Sequence, residues 1–300
     1  MGDAARIAVT GVNGFVGRHL AAELTDHAIE VVGISIEDRA AVDLDTYAQA
    51  DLVAGWPEIG PVDAVIHLAG LAAVGPSFDD PQRYLTVNSS IVTHVAEALL
   101  GTPARLILVS SGAIYDGLQP LPLGEDSAIA LSSPYAVSKV LNENQAAYYS
   151  GRGLQCVVAR PFNHIGPGQG PGFLLPDLAA LLDSASPGDG PIRTGNLASR
   201  RDYSDVRDVA RAYRLLATQP HLSHAVYNIC SGVSLSGEDI LAVLAKAVGR
   251  DTVRTETDPA RLRPSDPAEI VGDNTRLRED TGWAPRFSIE ETVADFLKAR

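Results

Sequence analysis

Three hundred residues, 45% of them hydrophobic, suffice for one large core with a smaller appended lobe, or for two modest domains. The formal net charge of −13 argues against a general nucleic-acid surface, although a phosphorylated small molecule needs only a few local arginines. No apolar run approaches the roughly 20 residues that span a bilayer, and Met1-Gly2-Asp3-Ala4-Ala5-Arg6 runs into a strand pattern with no signal-peptide region, so a cytoplasmic protein is expected.

In chain order, Arg6–Thr10, Ile29–Ser35, Ala64–Leu68, Leu106–Ser110 and Gln155–Ala159 are short β-branched runs that read as buried strands. Between them Phe15–Leu24, Arg83–Leu100 and Pro134–Tyr149 have helical patterns. The alternation predicts an α/β fold, a doubly wound parallel sheet with helices on both faces. Ligands of such sheets bind beyond the carboxyl ends of the strands. After Arg160 the rhythm breaks into Pro/Gly-rich connectors, 161–172 and 184–195, around a helical Phe173–Leu182. Arg201–Val206 and Ala225–Cys230 again read as strands, with a helix over Val209–Thr218, and Glu238–Val248 and Ile289–Ala299 as amphipathic helices. These pieces predict a smaller, discontinuous C-terminal α+β lobe. Arg207, Arg211 and Arg214 recur at helical spacing and read as a solvated face. Cys156 and Cys230 both lie in apolar runs, which favours core packing over a redox or metal role. No metal site is expected.

Gly11-Val12-Asn13-Gly14-Phe15-Val16-Gly17 follows the first strand and opens the first helix. Gly11 allows the tight turn, Gly14 lets the backbone approach a pyrophosphate, and Gly17 allows close helix–sheet packing. The helix N-terminal amides then face the phosphates. The spacing, G-x-x-G-x-x-G, is one residue wider than the common dinucleotide fingerprint. The second strand ends in Ser35-Ile36-Glu37-Asp38-Arg39. Glu37 stands where a carboxylate takes the ribose hydroxyls of NAD, whereas Arg39 would instead meet a 2′-phosphate; NAD(H) is favoured and NADP(H) remains open. Asp43-Leu44 is expected near the adenine. His67 reads as packed beneath the cofactor rather than catalytic.

Tyr135 and Lys139 are four residues apart on a predicted helix, so phenol and ammonium share one face. A cation nearby favours the phenolate. Thr10-Gly11-x-x-Gly14-Phe15-x-Gly17, His67-Leu68-Ala69, Ser110-Ser111 and Tyr135-x-x-x-Lys139 together resemble the extended short-chain dehydrogenase/reductase superfamily, over nearly the whole chain. Four further blocks resemble the branch of GDP-mannose 4,6-dehydratases and GDP-4-keto-6-deoxy-mannose reductases, the reductases being more similar. They are Arg160-Pro161-Phe162-Asn163-His164-Ile165-Gly166-Pro167-Gly168-Gln169, Gly195-Asn196-Leu197, Arg201-Asp202-Tyr203-Ser204-Asp205-Val206-Arg207-Asp208 and Leu262-Arg263-Pro264-Ser265-Asp266.

The resemblance implies a Rossmann-like cofactor domain from residues 1–161 and 202–232, and a nucleotide-sugar-binding lobe from 162–201 and 233–300. It implies that Tyr135 passes the proton at the sugar 4-oxygen, that Lys139 holds the nicotinamide ribose and lowers the tyrosine pKa, and that Ser111 hydrogen-bonds the sugar oxygen. Cofactor contacts are implied for Leu68, Ala69, Gly70, Asn88, Pro161 and His164. His164 has the alternative of merely buttressing its turn. The nucleotide-diphosphosugar is assigned to Ser111, Asn163, Gly172, Phe173, Arg193, Arg201 and Arg263. Arg201 and Arg263 are forked donors suited to a diphosphate, with a plain surface patch as the alternative for Arg200-Arg201.

Two residues past the catalytic Ser or Thr, dehydratases of this superfamily carry Glu or Asp, and the epimerase-reductases that invert C3 and C5 carry Cys. Here the position is Ala113, whose methyl group moves no proton. The expected reaction is therefore reduction of a nucleotide-diphospho-4-keto-6-deoxyhexose, with GDP-rhamnose as product. A 4,6-dehydratase using a displaced carboxylate such as Asp116 or Glu125, a 4-epimerase, and a non-catalytic NAD(P)-sensing protein are the alternatives. A homodimer through the helices Arg83–Leu100 and Pro134–Tyr149 is expected from their apolar positions on more than one face and from the family's four-helix interface.

Overall fold

Apolar strands with no polar interruption need cover on both faces, and the central sheet has it. The computed structural model describes residues 5–185, 190–250, 253–259 and 267–300. Its large sheet contains β1 (Arg6–Thr10), β2 (Glu30–Ser35), β3 (Thr46–Gln49), β4 (Ala64–His67), β5 (Arg105–Val109), β6 (Gln155–Pro161) and β10 (Val226–Ile229). All pairs are parallel, in the order β10-β6-β5-β4-β1-β2-β3. Helices α1 (Phe15–Asp26) and α6 (Val206–Thr218) cover one face, with Leu20, Leu24, Val209, Tyr213 and Leu216 packed on Ile7, Val9 and Ile107. Helices α3 (Pro81–Leu99) and α4 (Pro134–Gly151) cover the other through Ile91, Val95, Leu99 and Tyr149. A four-residue helix, α2 (Val74–Ser77), precedes α3.

The chain leaves β1 toward β2 and β3, then returns to place β4 on β1's other edge. Strand order reverses there, and the carboxyl ends of β1 and β4 splay into a crevice. This is the Rossmann-like architecture that the sequence predicts.

The smaller lobe is built on β9 (Arg200–Asp205). β9 lies between the parallel β13 (Glu269–Ile270) and the antiparallel β11 (Ser234–Ser236), and its second half pairs in parallel with β7 (Asn163–Ile165). A second pair joins β8 (Ile192–Thr194) to β12 (Thr255–Thr257). Helices α5 (Leu174–Ser184), α7 (Gly237–Ala247) and α9 (Ile289–Lys298) form its core through Leu175, Leu178, Ile240, Leu244, Val293 and Phe296. The helix α8 (Thr275–Thr281) packs back onto the large sheet, with Leu277 and Trp283 in the same core as Ile7 and Val9. Residues 200–205 lie in the small sheet, and Leu277 and Trp283 pack in the core of the large one.

The arginine stripe of α6 is not solvated, which corrects the sequence reading. Arg207 forks onto Asp205 and reaches Asp295 Oδ2 at 2.8 Å. Arg211 is buried and donates to Asp208 Oδ1 at 2.7 Å and to the Ala284 carbonyl. Arg214 Nε donates to Glu23 Oε1 at 2.7 Å. Periodicity reports which side chains share faces, not what each face meets, and α6 lies between α1 and the C-terminal segment.

Candidate active site

The glycine turn fills the switch-point crevice. Gly11 has φ +69°, and a Cβ there would sit 3.0 Å from the Ala69 nitrogen, so the turn after β1 and the turn after β4 touch backbone to backbone. A Cβ on Gly17 would lie 2.3 Å from the Gly11 carbonyl oxygen, which only a side chain of hydrogen avoids. Gly14 caps α1 without a side chain, leaving Phe15 and Val16 to begin the helix with their amides toward the crevice. Thr10, at the end of β1, secures the second turn. Its Oγ1 accepts from the amides of Leu68 and Ala69, each at 3.1 Å, and contacts His67 Nδ1 at 2.8 Å. With both amides donating, the hydroxyl proton is left for Nδ1, and burial drives the imidazole down to about 3. His67 is a neutral packed residue, as the sequence suggests.

Asn13 and Glu37 meet beside this turn. Asn13 Nδ2 donates to the Arg39 carbonyl at 2.9 Å and to Glu37 Oε2 at 3.3 Å, while its Oδ1 accepts from the Ala41 amide at 2.8 Å. Glu37 is exposed, and the Ser35 hydroxyl donates to it and holds its carboxyl below the usual range. Ile36 and Arg39 point outward, Arg39 to Asp38. Asp43 is exposed; Leu44 is half-buried, with Cδ1 only 2.4 Å from where a Cβ on Gly33 would stand. Gly70 has φ +135° and abuts Asn88. The Asn88 amide is engaged by the chain itself, accepting from the Leu71 amide at 2.8 Å and donating to the Leu71 carbonyl at 3.1 Å and to Ser138 Oγ at 2.9 Å.

On α4, Ser133 caps the helix by accepting from the Ala136 amide at 3.1 Å, and Pro134 follows at the first helical position. Tyr135 and Lys139 then face the end of β5. Tyr135 is buried, with the Ser111 side chain close enough to act on its phenol. Burial raises the phenol, and the Ser111 hydroxyl works against that. Lys139 Nζ lies 5.7 Å from the Tyr135 ring centroid and donates to the Val109 carbonyl at 2.9 Å. Burial pulls Lys139 itself down to about 8, opposed by Glu143, and its charge points at a carbonyl.

Ser111 opens a short 3-10 turn, Gly112–Ile114, by accepting from the Ala113 amide at 3.1 Å. Gly112 is pressed on the Phe162 ring, where a Cβ would approach to 2.9 Å. Ala113 is exposed beside Ser111. The carboxylates considered as replacements have other partners: Asp116 accepts from the Leu118 amide at 3.0 Å, and buried Glu125 accepts from the Asn228 amide at 2.8 Å beside Arg276.

Pro161 closes β6 buried, and the chain turns into β7 with Asn163 exposed. His164 stacks on Phe15, ring centroids 6.1 Å apart at 11°. Its Nδ1 lies 3.1 Å from the Phe162 carbonyl, which can only accept, so Nδ1 carries the proton, and burial lowers the imidazole. Gln169 Nε2 donates to the His164 carbonyl at 3.1 Å, and its Oε1 is buried without a protein partner. His19 and Arg18 of α1 reach the same loop at the carbonyls of Pro167 (2.8 Å) and Gly168 (3.2 Å). Gly172, at φ +90°, donates its amide to Asp177 at 2.8 Å, and Phe173 is exposed at the head of α5. Arg193 is exposed on β8; Arg201 is half-buried on β9, with Nη1 donating to the Arg200 carbonyl at 2.6 Å. Arg200 binds Ser234, Asp239 and Glu269 and belongs to the lobe's framework. Arg263, with the block Leu262–Asp266, lies outside the described residues.

The glycine turn, Ser111, Tyr135 and Lys139 therefore come together, and the loop after β6 meets them at Phe15. Sequence reasoning missed Thr10 as a clamp and missed the Phe15–His164 stack, because neither has a spacing signal within one segment. Arg160 stands in the sequence only as the first residue of a motif. An arginine ending an apolar strand is the signal that marks it.

This arrangement defines a dinucleotide-type crevice at the carboxyl ends of β1 and β4, with Tyr135 and Lys139 buried at the end of β5. The chain belongs to the NAD dependent epimerase/dehydratase family, which matches residues 7–230. The GDP-6-deoxy-D-mannose reductase of Pseudomonas aeruginosa is 33% identical over 299 residues, covering 97% of this chain and 96% of that protein. A UDP-glucose 4-epimerase of Mycolicibacterium smegmatis is 30% identical over 306 residues, with 96% of each covered. The solved structure of RMD from Pseudomonas aeruginosa complexed with NADPH has a TM-score of 0.84 at 31% identity and covers 99% of this chain and 98% of its own. Among the described residues no helix is long and apolar enough to cross a membrane.

Proposed function

We propose that this chain reduces the C4 ketone of a nucleotide-diphospho-4-keto-6-deoxyhexose with hydride from NAD(P)H, and that GDP-rhamnose is the product. Ala113 carries the reading. The Ser111–Tyr135–Lys139 set is intact, while the position that would supply a second acid/base has a methyl group, and Asp116 and Glu125 are held elsewhere. Similarity to a GDP-6-deoxy-D-mannose reductase supports the same reaction. NAD(P)H supplies the hydride. The glycine-turn amides would hold its pyrophosphate, and Glu37 with Asn13 would meet the adenosine ribose.

The residues of the chain perform the proton half. The buried phenol of Tyr135 is protonated at neutral pH and lies beside Ser111, so both hydroxyls can converge on one ketone oxygen. The proton moves from Tyr135 to that oxygen as the alkoxide forms. Lys139 presents a positive charge beneath, which stabilises the phenolate left behind. Asn163, Gly172, Phe173, Arg193, Arg201 and Arg263 are assigned to the nucleotide-sugar. Exposed Leu141 and Tyr148 on α4 support the homodimer.

NADH and NADPH oxidation across GDP-, dTDP- and UDP-4-keto-6-deoxyhexoses, with product configuration read by NMR, tests the reading. No turnover with any of them removes it. A dehydratase would instead consume GDP-mannose with no net cofactor change, and a 4-epimerase would interconvert sugars with none. The exposed Glu37 favours NADH, and tight selection of NADPH sinks that preference. The 4-epimerase reading is favoured by the similarity to UDP-glucose 4-epimerases.

A further inference from the structure

Arg160 is a charge the hydride chemistry does not use, yet it is only 5% exposed. Its guanidinium forks onto Glu143 through Nε at 2.9 Å and Nη2 at 2.7 Å. Nη1 donates to Tyr115 Oη at 2.8 Å and to the Glu125 carbonyl at 2.9 Å. Tyr115 Oη in turn donates to Asn228 Oδ1 at 2.7 Å. Each end of this cluster continues into the candidate catalytic groups. Glu143 is four residues past Lys139 on α4, on the same face. Tyr115 closes the turn that Ser111 opens. An exposed ion pair would contribute little here. A buried, forked pair holds two elements in one register, because separating it leaves a bare charge in the interior.

We propose that Glu143 and Arg160 are a positioning pair for the Tyr135–Lys139 chemistry: Arg160 ties α4 to the Ser111–Tyr115 segment, and the Glu143 carboxylate keeps the Lys139 ammonium charged in a buried setting. The proposal rests on the role given to Lys139 under Proposed function. The groups around Lys139 can be taken element by element. β4 brings His67, which is neutral. β5 brings only the Val109 carbonyl. α4 brings Tyr135, protonated, and Glu143. β6 brings Arg160, paired to Glu143. Glu143 is the one anion of this set, and its field is what opposes the burial cost at Lys139. The same carboxylate therefore serves two cations, one as a strut and one as a counter-charge.

Lysine occurs three times in the chain, at Lys139, Lys246 and Lys298, so labelling lysine Cε gives three NMR resonances, and Lys139→Met identifies the relevant one. In cofactor-free protein Lys139 is expected to titrate at about 8. Glu143→Gln is expected to move that midpoint down by about one unit, with the other two lysines unmoved. The alkaline limb of kcat should shift the same way, with KM for the keto-sugar little changed. An unmoved Lys139 midpoint in folded Glu143→Gln overturns the proposal and leaves Arg160 a structural tie. Glu143→Gln strands the Arg160 charge, so unfolding is a real outcome. The double variant Glu143→Gln/Arg160→Met removes both charges, so its downward shift is expected to be smaller than in Glu143→Gln; a Lys139 midpoint raised above the parent's there overturns the proposal. The titration needs no substrate. A shifted midpoint in a protein that turns over no keto-sugar would remove the proposed reaction and keep the pair.

Discussion

Burial raises the Tyr135 phenol, so the cofactor-free site holds it protonated at neutral pH. Tyr135→Phe is expected to lower kcat by a factor of about 100 or more while cofactor affinity, followed by fluorescence titration, changes only a few-fold. A sensor protein would instead keep its function in that variant. Lys139 gives a second test. Its pKa falls from 10.5 to about 8 on burial. Below that value both folded and unfolded chains hold the proton, and the fold bears the cost of a buried charge. Between the two values the folded chain releases the proton first, so stability rises with pH across that window. Lys139→Met is therefore expected to melt a few degrees higher than the parent at pH 7, the gain shrinking toward pH 10.5. A lower melting point at pH 7 would contradict it. Much of the site was legible at this scale, because Gly11, Gly14, Gly17, Tyr135 and Lys139 are fixed by local geometry of turn and helix. What was not legible is the direction of the lysine: only the fold places the Val109 carbonyl where the ammonium is spent.

Among the elements, the five apolar strands and the long helices were readable because burial on both faces leaves a continuous signature. The strand Thr46–Gln49 was missed since it lies at the sheet edge, half-exposed, with no apolar run. β7, β8 and β13 are two or three residues long and exist only through partners distant in sequence. Helix α6 carries the larger lesson. Its arginines have the period of a wet face, yet Arg211 is buried, bonded to Asp208 and stacked near Trp283, whose Nε1 donates to the Asp208 carbonyl at 3.0 Å. Asp208 also caps the chain by accepting from the Arg286 and Phe287 amides. Arg211→Ala is expected to cost about 3 kcal/mol or more, seen as a lower urea midpoint. A midpoint equal to the parent's would return α6 to the solvated reading.

For the molecule as a whole, the lobes share structure instead of meeting across a linker. β9, the middle strand of the small sheet, ends at Asp205, and α6 of the large layer begins at Val206. Asp205 caps that helix, forks to Arg207 and accepts from Thr292 Oγ1 at 2.7 Å, so one carboxylate pins strand, helix and α9 together. A junction of this kind is expected to restrain a swivel between the two sheets. On that expectation, ligand exchange occurs through local breathing of surface segments. Small-angle scattering curves of the empty protein and of the protein with cofactor and nucleoside diphosphate should superimpose, and a marked contraction on binding would show a hinge that this frame does not provide. Such an enzyme would trade the commitment of a closing mouth for speed of entry, guarding its hydride by the fit of the substrate alone.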